Sequence, residues 1–254
     1  MSIRKKILAI SIGPVLVLGV ITLLFMLTMV KSSLMDEVQD ALKGTAAATL
    51  AAYDQNTGDY LESTNGDIWK GSYNISKSES LVDRIKENTG MDVTFFYGNK
   101  RIMTSALDKK GNRILGSEAG ERVVNQVIKG KKPFFSTNVS LDGTRNYGYF
   151  IPVYQNGTTD QVIGMVFVGT NKARKDAIVN KILGSIMMAL LVVMLLCIVT
   201  AMRMAASISK NIKNSVAVVG KLADGDLNVW VDEKLLKRKD EIGDLSRGTM
   251  TLRD

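Results

Sequence analysis

One arginine in the sequence has the chemistry and the setting of a ligand anchor. Arg101 lies in a predicted β-hairpin, on the face that mixes polar with apolar side chains. A guanidinium can hold a carboxylate through two parallel hydrogen bonds, so Arg101 is the leading candidate for binding an anion. An alternative stays open, in which Arg101 is a surface residue that pairs with Asp92 or with nothing.

Hydroxyl and aromatic side chains in the same predicted sheet could complete a pocket. Thr104 and Ser105 follow Arg101 and could donate hydrogen bonds, although the alternation of a strand places them on opposite faces. Only one of the two then points inward. Four aromatic residues could form the walls: Phe96, Phe135, Tyr147 and Tyr149. Aromatic residues at strand spacing also suit an ordinary hydrophobic core.

Residue types that most enzymes need are scarce. The 254 residues include no histidine and one cysteine, Cys197. That composition excludes Ser-His-Asp and Cys-His catalytic groups, histidine-ligated metal sites and a phospho-accepting histidine within these residues. We therefore expect no catalytic residue, no metal site and no cofactor, and a protein that is not an enzyme.

Two long apolar runs divide the chain. Residues 182–202 contain no charged side chain, and neither do residues 7–30. Each run is long enough to cross a hydrocarbon core of about 30 Å as a helix. Two spans leave both ends of the chain, 1–6 and 203–254, on one side of a membrane and residues 31–181 on the other.

Basic residues beside the two runs predict the orientation in the membrane. Three precede the first run, at positions 4–6, and three follow the second, at positions 203, 210 and 213. The positive-inside rule then predicts a multi-pass cell-membrane protein with cytoplasmic ends and an extracytoplasmic middle. A cleaved signal peptide is the rival explanation of the first run, but its apolar core is usually only about 7 to 15 residues long.

The net charge of +8 does not indicate a nucleic-acid partner. The excess of basic residues is spread over the start, the middle and the tail of the chain, and no segment concentrates it on one face. Proteins that bind nucleic acids usually carry a clustered basic patch. We expect the membrane and a small molecule as partners instead.

Helical periodicity continues beyond the first apolar run. Small and apolar residues recur at three-four spacing, which predicts a long helix ending before Gly58: Leu34, Val38, Ala41, Thr45, Ala48 and Ala52. This helix could pack on its own domain and also meet its twin in a homodimer. A second helix is predicted over 78–90, with Ser78 as N-cap and Gly90 as a left-handed C-cap.

Alternating periodicity then predicts five strands. The first two, 91–97 and 100–105, form a hairpin around a Gly98-Asn99 turn, which places Phe96 opposite Arg101 and Thr94 opposite Met103. A short helix at 123–130 separates this hairpin from three further strands at 134–141, 145–154 and 161–170. The predicted fold class is α+β: a PAS-like, five-stranded antiparallel sheet with a long N-terminal helix over one face.

Several stretches of this sheet resemble the single Cache domain of bacterial chemoreceptors. They are Asp92-Val93-Thr94-Phe95-Phe96-Tyr97-Gly98, Arg101 with Thr104-Ser105, Gly148-Tyr149-Phe150 with Pro152, and the run from Val162 to Gly169. The resemblance covers about residues 31–181. It implies a Cache fold and a role in sensing small molecules.

The tail resembles a HAMP domain. Residues 205–222 and 242–252 keep heptad-like spacing, and Gly225-Asp226-Leu227 and Asp240-Glu241-Ile242-Gly243 lie between them. The resemblance implies a helical coiled coil over 203–254, with two helices per chain that pair with a second chain as a four-helix bundle. Leu227 and Val231 would lie inside it, and Glu241 would start its second helix. An ordinary juxtamembrane coiled coil is the alternative.

The combined pattern resembles the N-terminal part of methyl-accepting chemotaxis proteins. The implied function is a dimeric transmembrane receptor that senses a small carboxylate or amino acid and relays the signal through HAMP. The implied output, a helical hairpin that contacts a chemotaxis adaptor and a kinase, would lie beyond residue 254. A histidine kinase, a cyclic-dinucleotide enzyme, or a non-signalling membrane binding or scaffold protein are the alternatives.

Overall fold

The computed structural model describes residues 3–226, 228, 230–231 and 233–253. The chain divides into two compact units. The middle unit is Thr28–Leu183, and the end unit combines the segments before and after it.

The N-terminal helix runs without a break to Asp54. Helix α1 (Ile3–Phe25) continues through a π-helical segment (Met26–Val30) into α2 (Lys31–Asp54), which confirms the predicted extension past residue 30. The side chains that α2 buries are Val38, Leu42, Ala46, Thr49 and Tyr53. Of the six residues predicted at three-four spacing, Val38 is buried and Ala41 is partly buried against the same core. Large Leu42 and Tyr53 take the core face because they bury the most apolar surface, and Ala48 is exposed instead.

A five-stranded antiparallel sheet forms the centre of the middle unit and confirms the predicted architecture. Its strands are β4 (Asp92–Tyr97), β5 (Lys100–Thr104), β6 (Phe134–Leu141), β7 (Thr144–Tyr154) and β8 (Val162–Asn171). Their order in the sheet is β5-β4-β8-β7-β6. The hairpin β4-β5 and the meander β6-β7-β8 therefore meet where β4 pairs with β8.

Each face of this sheet has its own hydrophobic core. Helix α2 contacts β7 and β8 on one face. The core there, called the helix-side core, includes Leu42, Tyr53, Phe95, Tyr147 and Val168. The opposite face carries a smaller core built on three aromatic side chains, Phe96, Phe150 and Phe167. A short helix, α4 (Glu121–Val123), and the π-helical segment Val124–Lys129 that follows it cover part of this second face.

Helix α3 (Glu79–Thr89) has the predicted ends but not the predicted N-cap contact. Gly90 adopts the left-handed conformation at its C-terminus, with φ of 68°, as expected. Ser78 occupies the N-cap position, but its side chain makes no capping hydrogen bond to the helix. Its hydroxyl instead hydrogen-bonds the Tyr53 hydroxyl at 2.9 Å and the Ile75 carbonyl oxygen at 2.7 Å, so it ties α3 to α2.

A second, three-stranded sheet between α2 and α3 escaped prediction. It consists of β1 (Tyr60–Glu62), β2 (Ile68–Lys70) and β3 (Tyr73–Asn74). Lys70 is buried there, with its ammonium 4.2 Å from the centre of the Tyr60 ring and 3.9 Å from Asp54 Oδ1. Strands of two or three residues are too short for alternation to be recognised in a sequence.

The β4-β5 hairpin has the predicted turn and a bulge that was not predicted. Phe96 pairs with Arg101, as expected, but Phe95 pairs with Met103 and Thr94 with Thr104. Ile102 is therefore an extra residue in β5. The predicted pairing of Thr94 with Met103 was wrong because a bulge shifts the register by one residue and changes which side chains share a face.

The end unit is helical. Helix α5 (Lys172–Ala223) begins directly after β8 and spans 52 residues. After it come α6 (Glu233–Leu236) and α7 (Glu241–Arg253), the latter starting at Glu241 and capped by an Asp240 carboxylate that accepts from the Gly243 N–H at 3.2 Å. Val231 is buried, and Leu227 lies outside the described residues.

Within the part of the chain that the structure describes, two helical stretches are long and apolar enough to cross a membrane. One lies within Lys5–Asp54 and the other within Lys172–Ala223. They flank the middle unit in the sequence. Length and composition alone support this assignment.

Candidate functional site

A cavity of about 510 Å³ opens on the second face of the five-stranded sheet. Its floor is formed by Arg101 and three buried phenylalanines, Phe96, Phe150 and Phe167. Residues 118–120, the start of α4 and strand β6 form the rim. A volume of this size is typical of small-molecule sites.

Arg101 is buried at this floor, with only 8% of its surface exposed. Its guanidinium lies 5.3 Å from the centre of the Phe96 ring, and Nη1 donates to the Ile114 carbonyl oxygen at 3.2 Å. Within the described part of the chain, the buried Nε atom has no hydrogen-bond acceptor. Burial this deep excludes the surface arginine that the sequence left open.

No carboxylate among the described residues forms an ion pair with Arg101. Asp92, the partner considered from the sequence, forms its ion pair with Lys86 at 2.8 Å. Burial lowers the pKa of the Arg101 guanidinium, and the more distant charge of Asp92 offsets part of this effect. A buried cation without a counter-ion is unfavourable, so this floor favours the approach of an anion.

The rim carries further charged and polar groups. Glu118 and Arg122 are exposed there, and the Arg122 guanidinium lies 5.4 Å from the centre of the Phe134 ring. Neither residue was predicted from the sequence to belong to the site, and neither were Phe134, Phe150 and Phe167. Glu118 and Arg122 come from a loop and a three-residue helix, where no periodicity indicates which way a side chain faces.

Two glycines make room for the Phe167 ring on the floor. Gly148 of β7 pairs with Gly169 of β8. A methyl group at Gly148 would lie 2.5 Å from the Phe167 ring, and one at Gly169 would lie 2.4 Å from it. The ring can therefore lie against the strands only because both positions lack a side chain.

Three of the predicted site residues meet at the cavity: Phe96, Arg101 and Phe135. Phe96 and Arg101 are neighbours because the turn sets their pairing. Phe135 also contacts the helix-side core, where its ring stacks on Tyr147 with centroids 6.3 Å apart. Phe135 therefore touches both the cavity and the opposite face.

Tyr147 and Tyr149 do not line the cavity. They share one face of β7, as predicted, but it is the face toward α2, since Gly148 and Phe150 occupy the other. The Tyr147 hydroxyl donates to Asp176 Oδ1 of α5 at 2.5 Å. Burial, followed by this contact with Asp176, raises the pKa of Tyr147 to about 12.

Thr104 and Ser105 are engaged within the sheet and do not line the cavity. The Thr104 hydroxyl bonds the Thr94 hydroxyl at 2.7 Å, a contact that exists because the bulge brings Thr104 opposite Thr94. Ser105 Oγ accepts from the Val93 N–H at 2.9 Å and donates to Asp92 Oδ1 at 3.2 Å. Their polar groups support the hairpin that holds Arg101.

A metal site has no basis in the described ranges. There, no three His, Cys, Asp or Glu side chains come together in a way that could hold a metal ion. The cavity instead combines a buried cation, aromatic rings and a polar rim. That combination suits an organic anion.

Comparison with protein families matches residues 73–182 to the family described as single Cache domain 3. The predicted single Cache domain is confirmed for this segment, which is less than half of the chain. No curated protein matches the chain significantly.

Two solved structures are similar to parts of the chain. An extracellular ligand binding receptor from Desulfohalobium retbaense DSM5692 has 15% identity and a TM-score of 0.41, and the alignment covers 58% of this chain and 25% of the receptor. The sensor domain of DcuS from E. coli has 13% identity and a TM-score of 0.35, over 60% of this chain and 98% of that domain. The chain thus spans about a quarter of the length of the first receptor.

Proposed function

We propose that this chain is the sensing portion of a transmembrane receptor, in which an extracytoplasmic Cache domain binds a small organic anion or amphoteric metabolite. The observation that carries the proposal is Arg101, a buried cation at the floor of a cavity in this domain that has no carboxylate partner among the residues the structure describes. A bound carboxylate would supply the missing counter-ion. The guanidinium would hold it through paired hydrogen bonds.

The contacts of the middle unit also support a route for the signal. Strand β8 passes directly into α5, and α5 continues without interruption to Ala223. Next to this junction, Lys172 Nζ donates to the carbonyl oxygen of Thr137, which belongs to the cavity rim. Displacement of β6 by a ligand would therefore move the first turn of α5.

The proposed relay is a change in the relative position of the two spans. The ligand shifts an equilibrium between two arrangements of the sheet, and it can do so only by its differential affinity for them, with a coupling free energy of about 1 to 3 kcal/mol. Helix α5 carries this shift across the membrane to residues 203–254. We propose that these residues are a HAMP domain.

A groove in the end unit supports the proposed homodimer. The groove has a volume of about 330 Å³. It is lined by residues of α5 and α7, such as Ser215 and Thr249, and by Val231 from the segment between α5 and α6. In a four-helix HAMP bundle, the same two helices of a second chain would cover it. The output proposed for the receptor is chemotaxis, through an adaptor and a kinase.

A histidine kinase or a cyclic-dinucleotide enzyme is the alternative output, because the same sensing portion suits all three. Any amino acids encoded after residue 254 would discriminate between them. Seven-residue repeats rich in Ala, Glu and Gln favour chemotaxis, whereas a histidine-bearing dimerisation helix favours a kinase.

Labelling tests the proposed orientation. Thr159 is exposed in the middle unit, and a Thr159→Cys variant in a Cys197→Ala background presents a single thiol. We expect a membrane-impermeant thiol reagent to label it in intact cells. Labelling only after lysis would contradict the orientation.

A thermal-shift screen of the full chain in detergent tests the binding function. The screen uses small carboxylates, amino acids and amines, with Arg101→Ala measured alongside. A ligand at 100 times its Kd stabilises a protein by about 2.7 kcal/mol, which raises Tm by several degrees. A hit that disappears in the variant supports direct sensing through Arg101, whereas a folded chain that responds to none of these compounds contradicts it.

A further inference from the structure

The floor of the cavity offers one positive charge within an aromatic surface. Arg101, Phe96, Phe150 and Phe167 are all at least nine-tenths buried, and the rings of Phe150 and Phe167 lie 4.8 Å apart between centroids. Phe134 extends this surface toward the rim, 6.5 Å from Phe150. When the carboxylate of a ligand binds Arg101, the rest of the ligand must therefore contact aromatic rings.

A second negative charge on the ligand would find a poor environment. Close to the floor it would lie against phenylalanine rings, which cannot solvate an anion. At the rim it would meet Glu118, which repels it, and polar groups such as Arg122, Asn138 and Ser140, whose attraction is weakened because they are exposed to solvent and salt. The site is suited to a ligand with one carboxylate.

From this arrangement we infer that the cavity selects aromatic monocarboxylates, with the carboxylate on Arg101 and the ring between Phe96, Phe134 and Phe150. The inference rests on the proposed sensing function and goes further, because it specifies the ligand class. Aromatic rings pack favourably on one another in offset or tilted arrangements. The cavity of about 510 Å³ has room for a substituted benzene ring.

Affinity ranking of four matched probes tests the inference. Isothermal titration of the full chain in detergent uses benzoate, acetate, succinate and benzamide. Acetate lacks the ring, succinate adds a second charge, and benzamide keeps the ring but lacks the charge. We expect benzoate to bind about 30-fold more tightly than acetate, from burial of the ring. Succinate and benzamide should both bind at least about tenfold more weakly than benzoate.

Two variants test whether Arg101 binds the carboxylate and Phe134 contacts the ring. Arg101→Gln should reduce benzoate binding to the level of benzamide. Phe134→Ala, at the partly exposed end of the aromatic surface, should weaken benzoate about three- to tenfold and leave acetate within about twofold. Circular dichroism and Tm of each variant show whether it is folded.

Different failures have different meanings. Succinate or acetate binding as tightly as benzoate, and in an Arg101-dependent way, would overturn the aromatic selectivity and leave the proposed sensing of organic anions standing. If a folded chain bound none of the four probes, the inference would be wrong. The wider metabolite screen would then decide whether the sensing function also fails.

Discussion

Arg101 combines properties that a purely structural arginine rarely has. It is almost completely buried, it lacks a carboxylate partner among the described residues, and one of its nitrogen atoms has no acceptor there. In folding terms this arrangement is costly, since a buried charge normally has a partner. A ligand that restores the pairing explains why the chain keeps the charge there.

Replacing Arg101 with methionine separates its effect on the stability of the fold from its role in ligand binding. An apolar side chain of similar length removes an unpaired buried charge, so we expect the free energy of unfolding without ligand to stay within about 1 kcal/mol or to rise. Carboxylate binding should be lost. Urea unfolding and calorimetric titration measure the two quantities. A large loss of stability together with unchanged binding would assign Arg101 to structure alone.

A pair of glycine substitutions tests the packing of the cavity floor. Gly148→Ala places a methyl group 2.5 Å from the Phe167 ring, so we expect a destabilisation of about 1 to 3 kcal/mol and weaker ligand binding. Gly44→Ala is the matched control. Gly44 is exposed within α2 with open space around it, and alanine there should stabilise the helix by about 0.5 to 1 kcal/mol. Equal effects in urea unfolding would contradict this account of the floor.

The positions of candidate site residues could be predicted from the sequence where local geometry sets them. Phe96 and Arg101 were expected to lie opposite each other because a two-residue turn pairs residues close to it, and both line the cavity. Tyr147 and Tyr149 were assigned to the cavity because alternation shows which residues share a face but not which core that face meets. Glu118 and Arg122 had no periodicity to reveal them.

Elements were predictable to the extent that their periodicity extends over several residues. The five strands of the main sheet and the long helix were found, whereas the three short strands between α2 and α3 were not. The bulge at Ile102 also escaped prediction, because an apolar residue there fits a regular strand equally well. Its consequence was the wrong partner for Thr94, which pairs with Thr104 and not with Met103.

An ion pair between α3 and the loop after β5 gives the middle unit a pH dependence. Arg113 holds both carboxylate oxygens of Asp83, at 2.9 and 2.5 Å. This contact keeps the pKa of Asp83 below its usual value of 3.8. A lowered pKa in the folded state contributes stability above pH 3.8, and that contribution is lost as the pH falls further and the folded-state carboxylate is protonated.

We therefore expect the Asp83→Asn variant to be less stable than the unmodified chain at pH 6, and the difference to shrink as the pH falls below about 4. Urea unfolding at a series of pH values measures this difference. In an Arg113→Gln background, the Asp83→Asn substitution should change the free energy of unfolding less over the same pH range. A stability difference independent of pH would show that Asp83 acts through something other than its charge.

Removing the contact between β7 and α5 tests whether the sheet is coupled to the proposed membrane helix. Tyr147→Phe removes the hydrogen bond to Asp176 and should destabilise the chain by about 1 to 2 kcal/mol. It should leave ligand affinity nearly unchanged, because Tyr147 lies on the helix-side face, and weaken any effect of ligand on the spans. Tyr149→Phe removes a hydroxyl two residues along the same strand and is the control. An equal effect of both variants would argue against a role for the Tyr147–Asp176 bond.

For the whole molecule, the proposed mechanism requires two membrane helices that move when the Cache domain is occupied. The end unit offers a place to detect this movement. A side chain at Gly19 of α1 would begin 3.1 Å from the Met194 sulfur of α5, so the two positions are neighbours there. Cysteines at both positions should form a disulfide whose rate depends on how the spans are arranged.

The most direct test is therefore cross-linking of a Gly19→Cys, Met194→Cys chain, with Cys197 replaced by alanine, in lipid nanodiscs. Saturation with a small carboxylate identified by calorimetry should change the rate of disulfide formation, and Arg101→Gln should abolish the change. Each single-cysteine variant controls for cross-links between chains. An unchanged rate at a concentration where binding is measured directly would contradict signalling through the spans.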